Sequence, residues 1–433
     1  MYISELKLKK TVDALKNNEL TPEQLIKIIC KKIDTNEKFV KSLMPENKRC
    51  ERLLYEAKQL QNKYPDTENR PTLYGIPVGL KDIINVNNFE TTGGSKLPSE
   101  VLKGEEAIIV KKFKDAGAII LGKTVTTEFA YFEPGATRNP HNINHTPGGS
   151  SSGSAAAVAC GICPLAIGTQ TIGSIIRPAA FCGIVGYKPS FDRIDKSGII
   201  PFSLSADHVG TFTQDIEGIE IVAPVLIDDW NSNLTNENRK PKIGVVKGKY
   251  FEQANEEVRI FFDKKVEEFK NKGYIIVEID LFGDIKAINE IHGKMTSAEF
   301  AETHEKWFDE YEDLYRSKSK ELILKGKKVT IGELSEARIG REKFRKTIEN
   351  QKNELGIDIW LSPPTTEPAP EGMATGSPLM NLPWTYSGLP VITIPVGKSK
   401  NNMPLGLQFS GSFWQDEQLL AFVKKISLDL IKK

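Results

Sequence analysis

Over residues 5–65 apolar positions recur three and four apart, the spacing of one face of a helix. Thr21-Pro22-Glu23-Gln24 reads as a helix start, with Thr as N-cap, Pro at the first helical position and Gln three residues after the cap. Leu25, Ile28, Ile29 and Ile33 then continue the helical stripe, and a polar loop follows over 62–71. From Leu73 the pattern changes. Helices are predicted at 108–116 and 154–159, and buried strands at 118–122 and 165–167. Residues 229–241 are polar and turn-rich, a candidate linker. Beyond them a strand is predicted at 242–246, a helix at 255–271 and a strand at 274–279. Residues 285–353 are charged and mostly helical in pattern. Strand patterns return at 357–361, 391–396 and 405–409, and a last helix begins near Asp416.

This alternation predicts an α/β fold with a central mixed, mostly buried β-sheet covered by helices on both faces. The charged helical stretch interrupts a sheet that the last third of the chain completes. One large domain over 1–433 is therefore expected. Its parts are N-terminal helices (1–70), a catalytic core (71–228), a helical insertion or cap (285–353) and the completion of the sheet (357–433).

Composition narrows the function classes. Of 433 residues, 39% are hydrophobic and 27% charged, which is ordinary for a chain with a sizeable core. The 58 basic and 57 acidic side chains nearly cancel, so no electrostatic footprint for nucleic acid or an anionic membrane is present. No apolar run reaches the length of a spanning helix, and the first ten residues lack an export-type apolar core. A cytoplasmic protein is expected, and five cysteines, an odd number, suit a reducing compartment. Cys160 and Cys163 form a C-x-x-C among small apolar residues, where thiols act as small hydrophobes. The five histidines show no metal spacing; His141 and His145 lie in a loop with Asn142, Asn144 and Pro147. No metal site is expected.

The unusual chemistry lies in two short segments. The first is Thr146-Pro147-Gly148-Gly149-Ser150-Ser151-Ser152-Gly153-Ser154, directly before a small-residue helix. It lacks the lysine of a phosphate-binding loop, and a flexible linker would not run straight into a buried helix. The second is Gly168-Thr169-Gln170-Thr171-Ile172-Gly173-Ser174, where a strand ends in a turn just before a serine. A serine on such a turn exposes its hydroxyl, and successive turn N–H groups converge as an oxyanion hole does. With Lys81 entering from a third segment, the three places supply a nucleophile, a relay hydroxyl and a base. Asp207-His208 invites a Ser-His-Asp reading, but neighbours in an extended chain point to opposite sides.

At these residues the chain resembles the amidase signature hydrolases. Thr146 to Val158 is similar to the family's Gly/Ser block, with Ser152 where a glycine is usual. Gly168 to Ala179 is similar to its nucleophile block, Gly183 to Pro189 to a third, and Gly75 to Asp82 to the segment carrying the family's lysine. Ser150 and Ser174 stand 24 residues apart, as the family has them. The resemblance implies Ser174 as nucleophile, Ser150 as relay after a cis Gly149–Ser150 peptide, and Lys81 as base. It also implies an oxyanion hole from the N–H groups of Thr171, Ile172, Gly173 and Ser174, with no metal or organic cofactor. Three positions depart from the pattern: Gln170 replaces an Asp, Ile172 a Gly, and Ile176 a common Arg, with Arg177 one place later. Ala130, Tyr131 and Gln170 are candidate substrate-binding residues, with Glu128 and Phe129 beside them and Asn381 to Thr385 approaching the acyl side.

The implied reaction is hydrolysis of a carboxamide C–N bond through a Ser174 ester. Lysine serves as the base only when uncharged, so burial must lower its pKa from about 10.4. A free-standing amidase acting on a small-molecule amide is the leading expectation, with no direct nucleic-acid or membrane partner and a homodimer open. The alternative is the glutamine-hydrolysing component of a tRNA-dependent amidotransferase, which needs a partner protein to handle tRNA. A non-catalytic scaffold sits poorly with intact Lys81, Ser150 and Ser174.

Overall fold

A computed structural model describes residues 2–237 and 239–431. Among the described residues ten strands follow in chain order: β1 (Pro77–Lys81), β2 (Ile119–Thr124), β3 (Leu165–Gln170), β4 (Val185–Lys188), β5 (His208–Thr213), β6 (Ile243–Val246), β7 (Ile276–Ile279), β8 (Ile359–Ser362), β9 (Val391–Lys398) and β10 (Pro404–Ser410). They form one sheet in the order β2-β1-β3-β5-β4-β9-β10-β8-β6-β7, flanked by helices. Both ends are parallel (β2-β1-β3 and β8-β6-β7), and the middle is antiparallel. The sheet is mixed, as the alternation of patterns predicts.

Every strand except β7 and the far end of β9 is buried, and strands such as β6 and β8 accordingly read as apolar runs rather than alternations. One apolar cluster extends from Leu8 to Ile426, joining the first helices to the last. The edge strand β2 is covered by helix Arg49–Lys63, whose Arg52 guanidinium donates to the carbonyls of Ile120 (3.0 Å) and Leu121 (3.1 Å). That satisfies acceptors an edge would otherwise present to another chain. Helix Pro22–Val40 starts at the capping box read from the sequence. Gln24 N donates to Thr21 Oγ1 at 3.2 Å and Thr21 N to Gln24 Oε1 at 2.9 Å.

Cys30, on helix Pro22–Val40, and Cys50, on helix Arg49–Lys63, form a disulfide across the packed pair. Cys160, Cys163 and Cys182 are free and buried, and burial pushes the Cys163 thiol up to about 12. Among the described residues no cluster could hold a metal ion, and no helix is long and apolar enough to cross a membrane.

The Gly/Ser/Ala density has a packing cause. Helix Ser152–Ala159 is buried at every position and lies against the sheet. Gly153 N donates to Val125 O at 2.9 Å, and a Cβ at Gly153 would stand 2.2 Å from Ser42 O and 2.3 Å from Val125 N. Both obstacles are backbone and cannot yield. Ser154 replaces bulk with hydrogen bonds, donating to Ile167 O (2.9 Å) and meeting Thr124 Oγ1 at 2.7 Å. Gly153→Ala is therefore expected to lower stability by about 3 kcal/mol, the upper end for overpacking. Gly293, inside helix Ile285–Tyr311 with open space around it, should gain about 0.5–1 kcal/mol as alanine. Denaturant midpoints of the two variants check the contrast.

Candidate active site

Lys81 is the last residue of β1, and Thr169 is the penultimate residue of β3. The strands are parallel, with Leu80 opposite Ile167, so both carboxyl ends open at one place. That edge is where α/β sheets commonly hold their sites. Lys81 is fully buried, with Nζ 2.6 Å from Ser150 Oγ and 2.8 Å from Thr169 Oγ1. Burial lowers its pKa to about 7, partly offset by the charge of Asp207. Asp82, its neighbour, is engaged elsewhere: its carboxylate pairs with the buried Lys123 at 2.8 Å and accepts from Thr92.

Ser150 is held by a rigid loop. Gly148 N donates to Thr146 Oγ1 (3.1 Å), Asn139 Nδ2 to Thr146 O (2.9 Å) and Arg177 Nη2 to Gly149 O (2.6 Å). The Gly149–Ser150 peptide is cis. Next to it, Ser151 Oγ donates to Thr169 O (3.2 Å) and accepts from Thr169 N (3.3 Å), tying the loop to β3.

The turn 171–174 is fixed by its carbonyls and by its first side chain. His292 Nε2 meets Thr171 O at 3.0 Å, and Thr385 Oγ1 donates to Ile172 O at 2.6 Å. Burial lowers the His292 pKa to about 4, so the ring is neutral and donates through Nε2. Thr171 Oγ1 donates to Asp207, a buried carboxyl whose pKa burial raises to about 6. With carbonyls and hydroxyl anchored, none of the N–H groups of Thr171, Ile172, Gly173 and Ser174 is committed to a backbone acceptor among the described residues. Gly173 is required by close approach: a Cβ there would lie 2.4 Å from Asn381 Oδ1, on a side chain held by Pro364 O and Gln408 Oε1.

Ser150 and Ser174 line one narrow cleft, together with Tyr131, Phe132, Ile172 and Arg177. Lys81 lies behind this wall and reaches the cleft through the Ser150 hydroxyl.

The other sequence expectations fall as follows. Ala130 and Tyr131 line the cleft. Gln170 does not; its Oε1 accepts from Ile175 N (2.8 Å) and Ile176 N (3.0 Å), and its Nε2 donates to Thr385 Oγ1 (2.9 Å). A neutral amide thus caps the helix after Ser174. Glu128 points away and accepts from Arg316 N, and Phe129 packs on His304 with ring centres 4.4 Å apart. Asp207 and His208 form no triad with a serine of the cleft: the His208 ring meets Ala206 O at 2.7 Å. Sequence reasoning missed Thr169, Phe132, Phe202 and Pro378. Only Thr169 had a readable signal, a hydroxyl on a buried strand one residue from the loop.

A buried amine touching one of two serines that share a cleft is equipment for acyl transfer, which places the chain among the α/β hydrolytic enzymes. Residues 24–420 match the family model described as Amidase, and the chain belongs to that family. It is 30% identical to a glutamyl-tRNA(Gln) amidotransferase subunit of Staphylococcus carnosus, across 97% of this chain and 96% of that one. The corresponding subunit from Fusobacterium nucleatum is 29% identical across 98% and 97%. Among solved structures, an amidase superposes with a TM-score of 0.88 at 27% identity, covering 98% of this chain and 99% of that one. The peptide amidase from Stenotrophomonas maltophilia shares the fold, with a TM-score of 0.81 at 23% identity over 98% and 97%. The protein is an amide-hydrolysing enzyme.

Thr169 offers the Lys81 ammonium an acceptor, which favours its charged form. Thr169→Val should therefore lower the Lys81 pKa further, by about half a unit to one unit. An NMR titration of Lys81 in the variant and the parent measures the shift.

Proposed function

We propose that the enzyme cleaves the C–N bond of a small-molecule carboxamide with Ser174 as nucleophile, Ser150 as relay and Lys81 as base. The observation that carries this reading is the 2.6 Å contact between a buried Lys81 amine and a serine hydroxyl lining the cleft that Ser174 also lines. A hydroxyl both donates and accepts, so Ser150 can pass the Ser174 proton to Lys81. Ser174 Oγ then attacks the carbonyl carbon, and the N–H groups of residues 171–174 receive the oxyanion. The proton returns through Ser150 to the leaving nitrogen, the amine departs, and water hydrolyses the Ser174 ester by the reverse relay.

Residues 285–353 act in this proposal as the cap. Helix Ile285–Tyr311 supplies His292 to the turn, and its Phe300 packs against the cleft residues Phe202 and Tyr131 at ring distances of 4.7 and 6.2 Å. A cytoplasmic setting is part of the proposal.

A second reading is favoured by the relatives named as glutamyl-tRNA(Gln) amidotransferase subunits, matched along nearly their full length. In it the enzyme hydrolyses glutamine for a partner protein. Glutaminase activity that appears only when partner proteins are added would select this reading; turnover of simple amides by the isolated chain selects the first.

Lys81 accepts a proton only as the free amine. With its pKa lowered to about 7, activity is lost below that pH and reaches its plateau above it. The expected profile of kcat/KM has an acidic limb with its midpoint near pH 7. Ser174→Ala should reduce kcat by at least about 10⁴-fold and abolish covalent labelling by a fluorophosphonate, followed by intact mass. A limb near pH 10, or labelling that persists in the variant, contradicts the assignment.

A further inference from the structure

One carboxyl braces two walls of the cleft. Asp207 stands directly before β5. One of its oxygens accepts from Thr171 Oγ1, and the other accepts from Phe202 N at 2.8 Å and Ser203 N at 3.0 Å. Thr171 opens the turn that presents Ser174, Phe202 belongs to a different segment, and both line the cleft. The segment 202–207 is also held from outside. Glu299, on helix Ile285–Tyr311, accepts from Ser205 N at 2.9 Å and from the hydroxyls of Ser203 and Ser205, and it pairs with Arg338 at 2.6 Å.

The same carboxyl bears on the amine. Thr169, whose hydroxyl meets Lys81 Nζ at 2.8 Å, and Asp207 line one small cavity. Burial drives Lys81 towards the free amine, and the charge of Asp207 opposes it. Burial raises the Asp207 pKa to about 6, still below that of Lys81, so at neutral pH a carboxylate stands near an amine ready to take a proton. The other charged groups around Asp207 are committed elsewhere, Lys196 to Asp192 at 2.6 Å and Glu299 to Arg338. Burial keeps the His208 and His292 rings neutral. A buried ammonium with no negative charge nearby is a poor product of proton transfer. A carboxylate close by but out of contact stabilises that product without fixing the amine in its charged form beforehand.

We propose that Asp207 is a positioning residue for acylation, bracing the oxyanion turn against the Phe202 wall and supplying the negative charge beside which the Lys81 ammonium forms. The inference rests on the roles given above to Lys81 and Ser174.

Asp207→Asn separates the two contributions. An amide still accepts from Phe202 N and Ser203 N and donates to Thr171 Oγ1, so the brace survives while the charge is lost. The Lys81 resonance of this variant, followed by NMR, should titrate about half a unit to one unit below its parent midpoint. Its kcat should fall about 3- to 10-fold with KM little changed, because a weaker base takes the proton less readily. Asp207→Ala also removes the brace and should lower kcat by about another 10-fold while raising KM. Coupling between two ionisations is reciprocal. In protein carrying isotopically labelled aspartate, the Asp207 carboxyl should therefore titrate about half a unit to one unit higher in Lys81→Met than in the parent. That arm leaves Asp207 in place. A Lys81 midpoint unchanged in Asp207→Asn, or an Asp207 midpoint unchanged in Lys81→Met, overturns the proposal, and so does a parental kcat in Asp207→Ala. Failure of Ser174 in the parent enzyme to label with a fluorophosphonate would instead refute the catalytic reading, while the two titrations would still decide whether Asp207 and Lys81 are coupled.

Discussion

The whole arrangement depends on keeping the Lys81 amine away from water. In solvent it would be an ammonium, useless as a base at neutral pH and strongly hydrated. Inside the protein, at the carboxyl end of β1, the charged form is penalised, and among the described residues its hydrogen-bond partners are the hydroxyls of Ser150 and Thr169. Had Asp82 or Asp207 formed an ion pair with it, the charge would have been stabilised instead. Asp82 is taken up by Lys123, and Asp207 by Thr171 and the N–H groups of Phe202 and Ser203. Removing competing carboxylates from the amine is as much a part of the site as supplying the serines.

That requirement explains the architecture around it. A dry amine needs close walls, and close walls need small residues. The helix Ser152–Ala159 brings backbone within van der Waals distance of the strand ends, and its serines replace lost water with hydrogen bonds. The turn 171–174 is clamped from outside by His292 and Thr385, so its N–H groups are left aimed rather than paired. Gln170 where the resemblance implies an Asp, and Ile176 where it implies an Arg, remove one charge of each sign from beneath Ser174, the proposed nucleophile. The cation then reappears as Arg177, on the cleft wall. The turn remains capped by an amide instead of a carboxylate.

Much of this is legible in the sequence, and for physical reasons. Strands that open on short apolar runs, such as β2 and β9, and helices with clear caps, such as Pro22–Val40, are local signals. The two Gly/Ser segments stand out because nothing but close approach or chemistry requires such density. What escapes is non-local. β5 carries Gly210, Thr211 and Thr213 in a buried strand, and its polar residues hide it from a hydrophobic pattern. The Cys30–Cys50 pair depends on how two helices pack, which spacing alone does not give. Gln170 reads as a substrate contact because its neighbours face the cleft, whereas its own amide turns to the helix behind. That one carboxyl, Asp207, holds both Thr171 and Phe202 emerges only when its surroundings are known in three dimensions.

The most direct test of the central claim is the ionisation of Lys81 itself. Protein carrying isotopically labelled lysine, with Lys81 assigned by comparison with Lys81→Met, can be titrated by NMR. The account predicts a lysine resonance that changes with a midpoint near pH 7, well separated from those of the surface lysines. A Lys81 resonance that remains that of an ammonium up to pH 10 would contradict it.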